Sequence, residues 1–231
     1  MTIHFGRAFS ELAPSLFDAL KTVTLLAILA FALALMIGML IAVGRISGNK
    51  ILDRFLIVLL EIIRGTPLLV QLLYVYYVVP ELISFVVSFF VPDFHMNFGA
   101  FEAGVIGLGI NYGCYMSEIF RSSILAIDKG QNEAALALGY TKHQALRKII
   151  FPQSIRISLP ALGNYLVMLL KDTSLCAFIT LGEIILTTQS YAAQTFLTIE
   201  SYTIAALVYL VACIPLGYLV RVLERRVTKY V

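Results

Sequence analysis

Residues 23–43 form a run of 21 residues without a single charge. The hydrocarbon core of a bilayer is about 30 Å thick, and a helix needs about 20 mostly apolar residues to cross it. Four further stretches satisfy the same requirement: residues 55–80, 104–127, 157–181 and 203–220. The whole chain is 60% hydrophobic and only 13% charged, against about 25% charged residues in a soluble domain. So few charges cannot cover a soluble globule of 231 residues. A soluble enzyme, a disordered chain and a disulfide scaffold are thereby excluded, and the expected fold is an all-α polytopic membrane protein, one domain over residues 1–231 with five transmembrane helices. The apolar tract 82–91 is too short to span and is closed by Pro92, so it reads as an interfacial segment.

Lys and Arg accumulate on the cytoplasmic side of a membrane. Arg45, Lys50 and Arg54 follow the first span. Arg121, Lys129, Lys142, Arg147, Lys148 and Arg156 lie between the third and fourth, and Arg221, Arg225, Arg226 and Lys229 close the chain. These thirteen oppose only Arg7 and Lys21 on the other side. The asymmetry predicts an N-terminus outside and a cytoplasmic C-terminus. It also reduces the net charge of +3 to a topology signal, with no basic, aromatic-interleaved face for nucleic acid. The first 21 residues carry His4, Arg7, Glu11, Asp18 and Lys21 and do not resemble a signal peptide. Phe5, Phe9, Leu12 and Leu16 recur there at helical spacing, which fits either a short amphipathic surface helix or a solvated lead-in. Cys114, Cys176 and Cys213 match no metal or redox spacing and read as small buried hydrophobes.

The cytoplasmic loop 128–156 carries two helix starts. Asp128 with Gln131, and Thr141 with Gln144, have the spacing of reciprocal N-terminal caps. Gly139 falls where the first short helix would end in a left-handed cap, and Pro152 where the second should stop or kink. Ala134, Ala135, Leu138 and Tyr140 give this hairpin a small apolar surface, ringed by Gln131, Asn132, Glu133 and Lys142. Such a surface suits seating in a partner's groove, and packing under its own bundle accounts for it equally well.

Ionisable groups inside spans are costly, and they mark candidate functional sites. Glu61 with Arg64, and Glu118 with Arg121, are three apart and so placed to pair along a helix; both arginines also lie near enough to a cytoplasmic end to snorkel. Gly65-Thr66-Pro67 breaks the second span, either beside a translocation route or as a packing kink. Lys171, Asp172, Thr173 and Ser174 cluster near mid-membrane. Neighbouring side chains on a helix diverge by about 100 degrees, so Lys171 and Asp172 cannot face each other, and one of them is free to face a lumen. A zwitterionic amino acid offers complements to both charges. Gln71, Asn111 and Tyr115 are uncharged candidates to line the same path.

Three ordered motifs resemble a known family. Glu133-Ala134-Ala135-x-x-x-Gly139, followed by Phe151-Pro152-Gln153 and Leu159-Pro160, resembles the EAA loop of ABC importer membrane subunits. Arg64-Gly65-Thr66-Pro67-Leu68-Leu69-Val70-Gln71-Leu72 and Lys171-Asp172-Thr173-Ser174-Leu175 resemble motifs of the polar amino acid permease branch. The resemblance runs from about residue 17 to the C-terminus and implies a type I importer permease fold in a bacterial inner membrane. It further implies that Glu133, Ala134, Ala135, Leu138 and Gly139 form a coupling helix seated on a cytoplasmic ATPase. Two ATPase subunits, a second permease subunit (identical or related), an outer substrate-binding protein and an amino acid substrate are the implied partners. The chain is expected to hydrolyse nothing and to bind no cofactor, since it lacks a Gly-x-x-x-x-Gly-Lys-Ser/Thr loop; ATP and Mg belong to the partner. An ion-driven secondary transporter using Glu118 and Asp172 is the alternative, while an intramembrane enzyme is disfavoured because His4, His95 and His143 all lie outside the spans.

Overall fold

A computed structural model describes residues 4–228, and among them the secondary structure is helical. Lys229, counted in the basic tail, lies outside the described residues. The helices are α1 (Phe5–Ile46), α2 (Lys50–Arg64), α3 (Leu68–Leu73), α4 (Val79–Ser88), α5 (Ala100–Leu125), α6 (Lys129–Ala137), α7 (Lys142–Ala145), α8 (Phe151–Asp172), α9 (Ile184–Thr195) and α10 (Thr198–Thr228). π turns at Tyr74–Val78 and Leu146–Ile150 join α3 to α4 and α7 to α8, and a 3₁₀ segment, Thr173–Ile179, follows α8.

Four helical stretches are long and apolar enough to cross a membrane: Phe5–Ile46, Leu68–Ser88, Lys142–Ile179 and Thr198–Arg226. The expected third span, α5, has the length, at 26 residues, but its composition is diluted by glycines and by Asn111, Ser117 and Glu118. Those small residues have a packing reason. α5 lies along α1 with backbones in near contact: a Cβ on Gly38 would meet the Gly113 carbonyl at 2.9 Å, and one on Gly113 would meet Ile37 Cγ2 at 2.8 Å. Without water to drive helices together, close approach through small residues supplies the dispersion contacts that hold membrane helices. Replacing Gly113 with leucine is expected to destabilise the subunit by at least about 3 kcal/mol, because backbone has to move as well as side chains. Thermal unfolding in detergent checks this; an unchanged midpoint would mean the two helices have slack.

The N-terminal residues form no separate surface helix. They are the first turns of α1, which runs unbroken for 42 residues through Pro14. Leu12 and Leu16 face inward and are buried, whereas Phe5 and Phe9 face out. The start of the helix is tied to distant parts of the chain: Glu200 accepts the His4 backbone N–H at 2.8 Å, and Tyr191 donates to Glu11 at 2.8 Å.

The expected second span, 55–80, is two pieces. α2 ends at Arg64, Gly65-Thr66-Pro67 is non-helical, and α3 resumes at Leu68. Pro80 does not end the second piece, and the tract read as interfacial continues the helix as far as Ser88. Pro152 likewise neither stops nor sharply breaks its helix, but sits in the first turn of α8. Both prolines follow a π turn. There the Val79 and Phe151 N–H groups donate back five residues, to Tyr74 and Leu146. The wider turn makes room for the proline ring and spares the regular i−4 bond that the ring removes.

Charged groups cluster where α1, α2 and α5 meet. Arg45, whose side chain is only 10% exposed, bridges Asp53 at 3.3 Å and Glu118 at 2.5 Å, and Arg121 closes on Glu118 at 3.2 Å. The Glu118–Arg121 pair is therefore formed. Glu61 and Arg64 form no ion pair among the described residues; Glu61 is exposed and Arg64 turns to α5. Near the start of α9, buried Glu183 caps the Leu186 N–H at 2.8 Å and accepts from Tyr209 at 2.9 Å, so this carboxylate is hydrogen-bonded within the fold.

Candidate functional site: a charged cavity at the helix break and a capped loop

The break after α2 opens a cavity of about 520 Å³. Its wall includes Arg64, Gly65, Thr66 and Pro67 at the break, Asn111, Tyr112 and Tyr115 from α5, and Tyr165, Met168 and Asp172 from α8. Irregular backbone at membrane depth is tolerated where it lines a cavity, and that is its position here. Gly65 fits the end of α2 closely: a Cβ there would meet the Glu61 carbonyl at 2.8 Å.

Two opposite charges share this wall. Arg64 donates from Nη2 to the Cys114 carbonyl at 2.5 Å and lies over the Tyr115 ring, 5.3 Å from its centroid. Its Nε is buried without a partner. A buried donor left without a partner is costly. Asp172 accepts from Tyr112 at 2.7 Å. Tyr165 stands between the tyrosines of α5, edge-on to Tyr112 at 6.0 Å and stacked on Tyr115 at 6.3 Å between centroids. The cavity thus presents a cation, an anion and aromatic walls.

Of the nine path candidates, Arg64, Asn111, Tyr115 and Asp172 come together in this wall. The other five are elsewhere. Gln71 sits behind it, hydrogen-bonded to Asn111 at 3.0 Å. Glu118 is engaged by Arg45 and Arg121. Thr173 is fully buried and donates to the Leu170 carbonyl at 2.7 Å. Lys171 and Ser174 line a separate recess of about 320 Å³ with Ile185, Tyr202 and Tyr209. The divergence expected of Lys171 and Asp172 is therefore observed, with Asp172 on the cavity side. Sequence reasoning missed Tyr112, Tyr165 and Met168. Tyr165, Met168 and Asp172 are spaced by three and four, so one α8 face anchored on Asp172 carried the signal.

The loop between α5 and α8 is folded by its own caps. Asp128 accepts from the Gly130 N–H at 2.7 Å rather than exchanging bonds with Gln131. Thr141 and Gln144 form the reciprocal box, with bonds of 2.9 and 3.3 Å. Gly139, at φ +85°, ends α6. The Tyr140 N–H returns to the Ala135 carbonyl at 3.1 Å and the Gly139 N–H to Leu136 at 3.0 Å, the paired bonds of a left-handed helix cap. Ala135 is buried inside the hairpin, so it does not belong to the outward surface expected of it. Glu133, Ala134, Leu138 and Gly139 are exposed, with Leu138 at 78%.

Over residues 34–229 the sequence matches the family of binding-protein-dependent transport system inner membrane components. The chain belongs to this family. It is 34% identical over 213 residues to the glutamine transport system permease protein of Escherichia coli K12, covering 92% of this chain and 93% of that one. It is 36% identical over 207 residues to the L-cystine transport system permease protein of Bacillus subtilis 168, covering 89% and 83%. Its structure is similar to a crystal structure of an amino acid ABC transporter with histidines. The TM-score is 0.83 and the identity 35%, over 98% of this chain and 100% of that one. The permease character, the ABC importer fold and the multi-pass membrane setting expected from the three motifs thus agree with these relatives.

Proposed function

We propose that this permease carries a zwitterionic polar amino acid across the bacterial inner membrane, as one of two membrane subunits driven by two separate ATPase subunits and fed by an outer binding protein. The observation that carries the reading is the placement of Arg64 and Asp172 on one cavity wall. A guanidinium matches an α-carboxylate in geometry and charge, and a carboxylate matches an α-ammonium. A cavity of this size falls in the usual range for small-ligand sites, about 300–1,000 Å³. The amino acid relatives support the substrate class, and α5 serves as a fifth span in this reading, with the N-terminus outside. The exposed residues at the end of α6, Glu133, Ala134, Leu138 and Gly139, dock on the ATPase, which alone holds ATP and Mg. ATP can drive such a cycle only if the ATP-bound partner favours one bundle state over the other.

Reconstitution of the complete complex in proteoliposomes tests this. Amino acid uptake is expected to require ATP inside the compartment that holds the ATPase and to be unaffected by ionophores. Uptake that persists without ATP and collapses with an ionophore would overturn it.

A further inference from the structure

We propose that Gln71 is a positioning residue whose side-chain amide stands in for the backbone donor that Pro67 lacks, holding the α2–α3 break in the shape that places Arg64 on the cavity wall. In a continuous helix the carbonyl of Ile63 would receive the N–H of residue 67, four positions on. Proline has no such N–H. In water a stranded carbonyl would be hydrated; in a bilayer interior it needs a partner from the protein.

Gln71 lies one turn beyond Pro67 and reaches back. Its Nε2 donates to the Ile63 carbonyl at 2.6 Å, and it is 3.0 Å from the Thr66 carbonyl and 2.9 Å from the Thr66 hydroxyl. Thr66 adds its own hydroxyl to the carbonyls of Ile62 and Ile63, both at 3.2 Å. The ends of the break are therefore joined by one amide and one hydroxyl, with the Thr66 N–H adding a long bond of 3.4 Å to the Ile63 carbonyl in place of the regular one from residue 67. Orientation of the amide is set from α5. Asn111, only 6% exposed, donates from Nδ2 to Gln71 Oε1 at 3.0 Å, which leaves the NH₂ of Gln71 facing the break. The flipped amide would put its oxygen against two carbonyls.

This chain of bonds explains why glutamine suits the position. Glutamate would set a negative charge against the Ile63 and Thr66 carbonyls, asparagine is one methylene too short, and leucine supplies no donor. It also ties the cavity to the break, because Asn111 and Thr66 are both wall residues while Gln71 is not. Gln71 thus acts on Arg64 through the backbone, without touching a ligand.

The proposal rests on the amino-acid reading of the cavity only for its transport readout, so the test has two arms on the assembled complex. Hydrogen–deuterium exchange of the amides at 64–72 is expected to quicken at least tenfold in Gln71→Leu. In the Pro67→Ala/Gln71→Leu double variant protection returns, since residue 67 now donates to Ile63. In uptake, Gln71→Leu is expected to raise KM at least tenfold with the maximal rate changed less than threefold, and the double variant does not recover KM because the straightened helix removes the break from the wall. If Gln71→Leu does not assemble, Asn111→Ala, which frees the amide without removing it, is expected to quicken the same amides severalfold. Unchanged exchange in the variant measured overturns the proposal whatever the permease carries. Faster exchange in a wild-type complex that takes up no amino acid leaves Gln71's role standing and removes the substrate reading instead. A drop in yield alone, with exchange and KM unchanged, assigns Gln71 to assembly and also overturns it.

Discussion

Asp172→Asn is expected to weaken apparent amino acid affinity about 100-fold while leaving the subunit folded. Truncating one member of a buried, hydrogen-bonded charge pair typically costs about 2–5 kcal/mol, and each 1.4 kcal/mol or so is tenfold in affinity. The substitution isolates the charge, because an asparagine oxygen can still accept from Tyr112, as Asp172 does at 2.7 Å. Arg64→Ala should have a similar or larger effect, since it removes the group whose Nε has no partner in the fold as well as the stacking on Tyr115. Lys171→Ala is the internal control. Lys171 opens onto the other recess, so its loss is expected to change KM less than threefold. Concentration-dependent uptake at fixed ATP measures all three. Equal effects from Lys171 and Asp172 would mean that the charge cluster acts on assembly, and the cavity reading would fail.

The second large effect is expected at the hairpin of α6 and α7. Gly139→Val should cut the amino acid carried per ATP hydrolysed about tenfold, with normal membrane insertion. A Cβ at Gly139 would meet nothing within 4 Å, so no steric clash with neighbours is involved. The cost comes from the backbone: a non-glycine residue held at φ +85° is strained by about 1–3 kcal/mol, and a β-branched one resists most. Relaxing that strain breaks the bonds from Tyr140 and Gly139 to the last turn of α6 and swings Leu138 away from its exposed position. Gly139→Asn should be much milder, because asparagine tolerates the left-handed region. Parallel measurement of uptake and ATP hydrolysis is the check. A wild-type ratio in Gly139→Val would show that the cap is not what the ATPase reads.

What could be read from the residues differed sharply between these two places. The hairpin is governed by local chemistry, and its caps at Gly139 and Thr141–Gln144 follow from side chains within a few positions of each other. The cavity depends on three helices far apart in sequence. Arg64, Asn111 and Asp172 were legible because polarity inside an apolar run is anomalous wherever it occurs. Tyr112 and Tyr165 were not, because a tyrosine on a membrane helix is unremarkable until its neighbours are known. Polarity alone also overcounted. Glu118 stands out by the same criterion as Asp172, yet it is consumed by Arg45, 73 residues away, a partner that no local spacing announces. The prolines misled for a related reason. Pro80 and Pro152 read as stops, yet each sits in a helix that continues past it, just after a π turn that composition does not reveal.

The caps of the α6–α7 hairpin have one more consequence. Its cap bonds, from Asp128–Gly130 through Ala135–Tyr140 to Thr141–Gln144, lie within a single stretch of 17 residues, and the nearby Lys148 and Gln153 add one contact each, to Tyr140 and Gln131. A unit that carries its own instructions is portable. Exchanged with the corresponding stretch of a relative, it should keep its shape in a foreign bundle and bring its preference of motor with it. The break at Gly65–Pro67 has no such independence, since its amide clasp is anchored on another helix. With the docking and cavity roles proposed above, the choice of engine could be traded as a cassette, while the choice of cargo would have to change in several helices together.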